Sequence, residues 1–385
     1  MDDLGQPDRE SEVSADTSLA ITAAGSAGSG RYLSCRFIER GIVLSPGRVI
    51  TPCCVNPATG IVPELVRFGS EGVPVDAIFE ARAEIIRRHK SGDIVEGCQG
   101  CPRLTEGEWT DEEMGPYAID EVTVAPFSSC NIRCNYCYTV TNPIQTSPLS
   151  KSPRVLPVFE QLIERRLLAP YATVRFSGGE PTLSPEFEPL LTKLNDYGVR
   201  SIVYTNATKR SNAIMEAVRR DQVELIIGID AASAEVYKKI KKINYMEKVW
   251  EVTAEYCALA RPDAVNKIWA KFIFCLENYH EVADFVRRAH EAGAKDIYYD
   301  FDSSRSRPGD LRGGIEVPDE CTDYVAILKH ECAMRGINVA FAESGLAWLT
   351  AERQERIERK LAQLNHAHAA ASSPGWLANL WGGPR

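Results

Sequence analysis

The sequence predicts an α/β chain with a parallel sheet of five or six strand–helix units, fewer than the eight of a closed barrel. Two observations lead there. Short apolar strands alternate with amphipathic helices over most of the chain's second half and middle, the pattern of a parallel sheet covered by helices on its outer face. One of those strands also runs into a Gly-Gly turn, at the strand end where parallel α/β folds hold their ligands. The strands read as 121–127, 173–176, 200–204, 224–229, 267–276 and 296–301. Helical patterns lie near 155–168, 186–197, 210–220, 233–260 and 279–292, and a helix over 319–335 with a strand over 338–341 follows.

Four segments divide the 385 residues. Residues 1–30 are acidic and then rich in small residues, and read as a disordered tail without the basic start and apolar run of a signal peptide. Residues 31–117 form a cysteine-rich domain, with strands near 41–44 and 48–50 about the turn Ser45-Pro46-Gly47 and a helix over 77–90. Residues 118–342 are the core, and 343–385 a C-terminal extension with a charged helix over 351–366. That tail, ending on Trp376-Leu377 and Leu380-Trp381, is read as a cap on the barrel mouth or an edge, with self-association as the other reading.

An apolar fraction of 44% allows a sizeable core, while a formal net charge of −9 argues against a general nucleic-acid or anionic-lipid binder. No apolar run approaches the roughly 20 residues of a membrane span. The twelve cysteines stand out. They are too dilute for a disulfide scaffold, and their clustering in a chain without a secretory signal points to metal sites in a reducing, cytoplasmic setting.

Cys130-Asn-Ile-Arg-Cys134-Asn-Tyr-Cys137 supplies three thiolates on one short loop. A four-iron cluster normally takes four, so three leave one iron open to a small ligand. A zinc site completed by a distant His or Cys is the other reading of the spacing. Some forty residues on stands Gly178-Gly179-Glu180-Pro181, whose glycines let the backbone approach a ligand closely. Lys271, alone on an apolar strand, either points into the barrel toward a carboxylate or snorkels outward.

With Val203-Tyr204-Thr205-Asn206 and Ile227-Gly228-Ile229-Asp230, these motifs make residues 118–305 resemble the radical SAM superfamily. The resemblance implies a partial (β/α)6 TIM-like barrel and a [4Fe-4S] cluster on Cys130, Cys134 and Cys137. It implies S-adenosyl-L-methionine (SAM) on the fourth iron, reductively cleaved to a 5′-deoxyadenosyl radical that takes hydrogen from substrate. It further implies that Tyr136 contacts adenine, that Gly178, Gly179, Glu180 and Pro181 hold the methionine moiety, and that Thr205, Asn206 and Asp230 meet SAM or substrate. Asn206 has a second reading, as a cap of the helix near 210.

Cys35, Cys53, Cys54, Cys98 and Cys101 form a second set among Gly and Pro turns, enough for one complete [4Fe-4S] or zinc site. The segment is similar to a SPASM or twitch auxiliary-cluster domain, here ahead of the barrel rather than behind it. Cys35, Cys53, Cys98 and Cys101 are the favoured ligands, with Cys54 spare or replacing Cys53. Cys257, Cys275, Cys321 and Cys332 read as small buried hydrophobes. The run Lys238-Lys239-Ile240-Lys241-Lys242 reads as a solvated helix face, with docking of an acidic flavodoxin- or ferredoxin-type donor as the alternative. The expected activity is hydrogen abstraction from a small molecule (a sugar, amino acid or natural product). A peptide-modifying maturase, a glycyl-radical activase and a non-catalytic Fe–S carrier are the alternatives. Oligomeric state has no signature in the sequence.

Overall fold

The computed structural model describes residues 32–53, 61–67, 72–73, 75–109, 115–137, 140, 154–302, 319–342 and 349–372. The tail at 1–30, Cys54 and the two closing tryptophans lie outside the described residues. The chain opens with β1 (Tyr32–Ser34), a single turn α1 (Arg36–Arg40), β2 (Gly41–Ser45), β3 (Val49–Thr51), β4 (Val66–Arg67), α2 (Val75–Lys90) and β5 (Thr105–Gly107). The repeating units are β6 (Ile119–Val124), α3 (Leu156–Glu164), β7 (Leu168–Phe176), α4 (Phe187–Tyr197), β8 (Arg200–Thr205), α5 (Asn212–Arg219), β9 (Val223–Gly228), α6 (Ala234–Lys241) and α7 (Met246–Leu259). They continue with β10 (Ile268–Phe274), α8 (Val282–Glu291), β11 (Asp296–Phe301), α9 (Cys321–Met334) and β12 (Asn338–Phe341), and α10 (Ala351–Ser372) follows.

The main sheet has the order β12-β11-β10-β9-β8-β7-β6-β2-β3-β4. From β6 to β12 every pairing is parallel, and the two ends of the order do not pair, so the barrel is partial. Right-handed βα crossovers require this: each apolar strand feeds a helix that returns over the outer face. Local chemistry sets the helix limits. Ser211 and Ser233 cap α5 and α6 by accepting the amides of Ile214 (3.3 Å) and Val236 (3.2 Å), and Gly198 ends α4 in the left-handed region.

Two features depart from the sequence reading. The helix expected over 233–260 is two helices, broken where Lys242 adopts φ 63° and closes α6. The cysteine-rich segment also joins the barrel sheet: β2 lies parallel beside β6, Gly41 opposite Glu121 and Leu44 opposite Val124, and β3 and β4 extend it antiparallel. Such a pairing joins segments about eighty residues apart and leaves no local signature. The C-terminal helix α10 lies along α9, where Arg356 pairs with Asp323 and His330 Nδ1 meets the Asn365 side chain at 3.0 Å.

Alternation places two sets of side chains. Val174, Val203, Leu225, Ala270 and Ile297 point outward into the helix-covered core. Ile202, Ile226 and Trp269, with Tyr204, Tyr298 and Ala340, form a separate apolar cluster on the inner face. That cluster is a floor inside the barrel. Among the described residues no helix is long and apolar enough to cross a membrane.

Candidate active site and second cysteine site

β6 ends at Val124 and the chain runs on to Cys130, beyond the carboxyl ends of the strands. The Gly-Gly turn after β7 lies directly on this run. Gly179 N–H donates to Phe127 O and Glu180 N–H to Ser129 O, each at 2.9 Å. A Cβ on Gly179 would stand 2.1 Å from Ser129 O, and Gly178 adopts φ 92° with Phe127 O at 2.7 Å from its ideal Cβ position. Only glycine permits this backbone-on-backbone contact. The two motifs therefore form one clasp.

Glu180 is its centre. The side chain is 2% exposed, and its carboxylate accepts from Thr182 N–H (3.2 Å), Thr182 Oγ1 (2.7 Å), Thr205 Oγ1 (2.8 Å) and Asn206 N–H (2.8 Å). Burial raises its pKa, and these donors pull it back down. Asn206 then reaches Cys130 Sγ (3.5 Å) and Asn131 Oδ1 (2.9 Å) through Nδ2, while its Oδ1 accepts from Thr208 N–H (3.0 Å) and Thr208 Oγ1 (2.6 Å). Asn206 thus touches the cysteine loop, and Ser211 rather than Asn206 caps α5.

The other side of the loop is held by α6. Arg133 N–H donates to Lys241 O and Asn135 N–H to Ile240 O, both at 3.0 Å, so the last carbonyls of the helix are satisfied by loop amides. Lys241 is 1% exposed and Asp230 0%. The Lys241 ammonium donates to Asp230 Oδ2 and, at 2.7 Å, to the Tyr136 hydroxyl; Tyr136 in turn donates to Asp230 Oδ2. Asp230 adopts φ 63°, unusual for a residue with a side chain, and its Oδ1 accepts the Ile273 amide at 2.7 Å. Burial works against the charge on Lys241, and Asp230 overrides it, holding the ammonium above its ordinary pKa. Lys241 is a site residue that sequence reading missed. The solvated-face reading holds for Lys238, Lys239 and Lys242, which are exposed, and fails for Lys241.

Burial pushes the Cys130 thiol up to about 11 and raises Cys134 as well. The donor set and the glycine clasp fit the cluster that the sequence resemblance implies. Tyr136, Thr205, Asn206 and Asp230 are all brought to this loop. The hydroxyl of Tyr136 and both carboxylate oxygens of Asp230 and Glu180 are engaged by protein groups.

Beneath the loop, the inner face carries Arg175 paired with Glu121, Tyr204, Lys271 and Asp300. Lys271 points inward, its ammonium 5.5 Å from the Tyr298 ring centroid, and among the described residues no carboxylate lies within ion-pair distance of it. Burial raises the pKa of Tyr204, with Arg175 acting against that rise and Glu224 and Asp300 adding to it.

The second cysteine set gathers at the opposite end of β6. Cys35 precedes α1, Cys53 follows β3, and the ideal Cβ of Gly41, at the start of β2, stands 2.3 Å from Pro52 O. Cys98 is pushed up to about 12 by burial and by repulsion from Cys53, Cys35 and Cys101. Among the described residues no three His, Cys, Asp or Glu side chains converge on a single ion. β6 is six residues long, about 20 Å of strand between the levels of the two sets.

None of the eleven described cysteines is in a disulfide. Cys275, Cys321 and Cys332 are buried, and burial pushes Cys257, Cys321 and Cys332 up to about 12. Because the thiolate is the nucleophile, these three are expected to resist iodoacetamide at pH 8 in the native protein. Peptide mapping after brief labelling checks this, and rapid alkylation of Cys321 or Cys332 without unfolding contradicts it.

A family model described as the radical SAM superfamily matches residues 124–289. The PqqA peptide cyclase of Methylorubrum extorquens (strain PA1) is 29% identical over 170 residues, 43% of this chain and 41% of that protein. A probable GTP 3′,8-cyclase of Methanothermobacter thermautotrophicus is 25% identical over 169 residues, 43% of this chain and 52% of that protein. The chain therefore matches about half or less of the length of these relatives. The crystal structure of Streptococcus suis SuiB bound to precursor peptide SuiA superposes with a TM-score of 0.43 at 12% identity, covering 83% of this chain and 74% of that one.

Proposed function

Through its residues 124–289 the chain belongs to the radical SAM superfamily, and on that premise we propose that it is an enzyme that abstracts hydrogen from a peptide held in the barrel lumen. The observation that carries the chemistry is the clasp of Gly178, Gly179 and Glu180 on the loop of Cys130, Cys134 and Cys137. Those three cysteines would hold a [4Fe-4S] cluster, and when bound it and SAM supply a one-electron reductive cleavage that yields the 5′-deoxyadenosyl radical. The chain's own residues hold the loop in place and present the lumen below. A non-catalytic Fe–S carrier needs no such lumen.

The sequence reading leaned toward a small molecule. The peptide reading draws support from the relation to PqqA peptide cyclases and from the lumen's charges. Arg175 is paired with Glu121 on the inner face, where Lys271 and Asp300 also lie, a mixed set suited to the polar groups of a peptide. Cys35, Cys53, Cys98 and Cys101 would hold a second, auxiliary metal group. The exposed Lys238, Lys239 and Lys242, on or next to α6 where it meets the cysteine loop, would dock an acidic flavodoxin- or ferredoxin-type donor in the cytoplasm.

The test uses the reconstituted chain with SAM and reductant, and adds host peptide and small-molecule fractions separately. Stimulation of 5′-deoxyadenosine formation by the peptide fraction is expected. Stimulation by the small-molecule fraction alone overturns the peptide reading and restores the earlier one.

A further inference from the structure

α6 ends against the cysteine loop with its carbonyl end, and that geometry alone is unfavourable. A helix carboxyl end carries a partial negative charge, and a cluster on the loop would carry negative charge too. The buried ammonium of Lys241 reaches the same loop. It bridges Asp230 Oδ2 and the Tyr136 hydroxyl, lies 5.2 Å from the Tyr136 ring centroid, and follows directly on Ile240, whose carbonyl holds Asn135. Tyr136 itself sits between Cys134 and Cys137. Cys134 thus lies between two positions that Lys241 holds, Arg133 through its carbonyl and Tyr136 through its ammonium.

A buried ion pair is a poor way to gain stability, since apolar replacements of both partners are often neutral or stabilising. Asp230 moreover holds a left-handed backbone that costs energy in a residue with a side chain. Strain and buried charge at one point, against the loop of a functional motif, call for a role beyond packing.

We propose that Lys241 is a positioning residue of the cysteine loop, its ammonium offsetting the carbonyl end of α6 so that the group held by Cys130, Cys134 and Cys137 is easier to reduce. The inference rests on the reading of those cysteines as cluster ligands. It concerns what surrounds the cluster rather than whether one binds, and iron content separates the two.

Three variants test it: Lys241→Met, Lys241→Arg, and the double variant Asp230→Asn/Lys241→Met. The single methionine variant leaves Asp230 buried and unpaired and is the one at risk of misfolding. The double variant removes both charges and keeps the volumes, so it serves as the second measurement. Hydrogen exchange in the metal-free protein reads the loop directly: the Arg133 and Asn135 amides are expected to exchange faster in both methionine variants and at the native rate in Lys241→Arg. In reconstituted protein of equal iron content, an EPR-monitored redox titration is expected to shift to more negative potential in the double variant and to return toward native in Lys241→Arg. A double variant with native exchange at these amides and a native potential overturns the proposal and leaves Lys241 as packing. Loss of iron binding in the unmutated chain overturns instead the reading of the cysteines on which it rests.

Discussion

Replacing Cys134 with alanine is expected to abolish SAM cleavage altogether while leaving the second metal site loaded. Cys134 is 8% exposed, on the loop that Gly179 and Glu180 clasp on one side and α6 on the other. Among the described residues Cys257, Cys321 and Cys332 are held on helices, and Cys275, just beyond the end of β10, is buried with its thiol held well above its ordinary pKa by burial, so none offers a ready thiolate in its place. With two thiolates left, the triad should lose its iron and 5′-deoxyadenosine formation should fall below detection. The second set gathers at the opposite end of β6 and owes nothing to Cys134, so its metal should stay. Metal analysis with EPR checks both halves at once. Equal loss of metal from both sites would mean that the two are coupled, contrary to this account.

Replacing Glu180 with alanine is expected to destabilise the fold as well as the site. Four donors converge on that carboxylate, from Thr182, Thr205 and Asn206, and none of them reaches solvent. Leaving several buried donors unpaired costs on the order of 3–5 kcal/mol. Glutamine keeps one oxygen but turns an amide N–H₂ toward groups that themselves donate, so it should recover only part of the loss. Because Asn206 N–H is one of the four, the effect should extend to the contact between Asn206 and Cys130. Urea unfolding of Glu180→Ala and Glu180→Gln measures the first effect, and iron retention the second. An alanine variant as stable as the parent contradicts the role assigned to Glu180.

These two variants rest on motifs that were legible in the sequence, and the reason is that their chemistry is local. A loop that must bring three thiolates together needs them within a few residues. A backbone that must lie on another backbone needs glycine, and Gly178-Gly179 announced it. The parallel sheet was legible because every strand in it is apolar on its outward face and followed by a helix. What stayed hidden depends on partners far along the chain. Lys241 sits among four lysines of like appearance, and only the packing of α6 on the loop makes one of them a buried counter-ion to Asp230. Tyr136 and Asp230 were each singled out in the sequence, but their contact with each other joins positions 94 residues apart. The pairing of β2 with β6 was hidden for the same reason. The break between α6 and α7 was missed because Lys242 takes a left-handed conformation that its sequence does not advertise.

The central claim is that the clasped loop of Cys130, Cys134 and Cys137 is a SAM-cleaving site. It is tested most directly by reconstituting the full chain with iron and sulfide without oxygen, adding SAM and dithionite, and following 5′-deoxyadenosine by chromatography. The account predicts its formation, dependent on reductant and absent from Cys134→Ala. Iron-loaded protein that forms no 5′-deoxyadenosine and binds no SAM would contradict it.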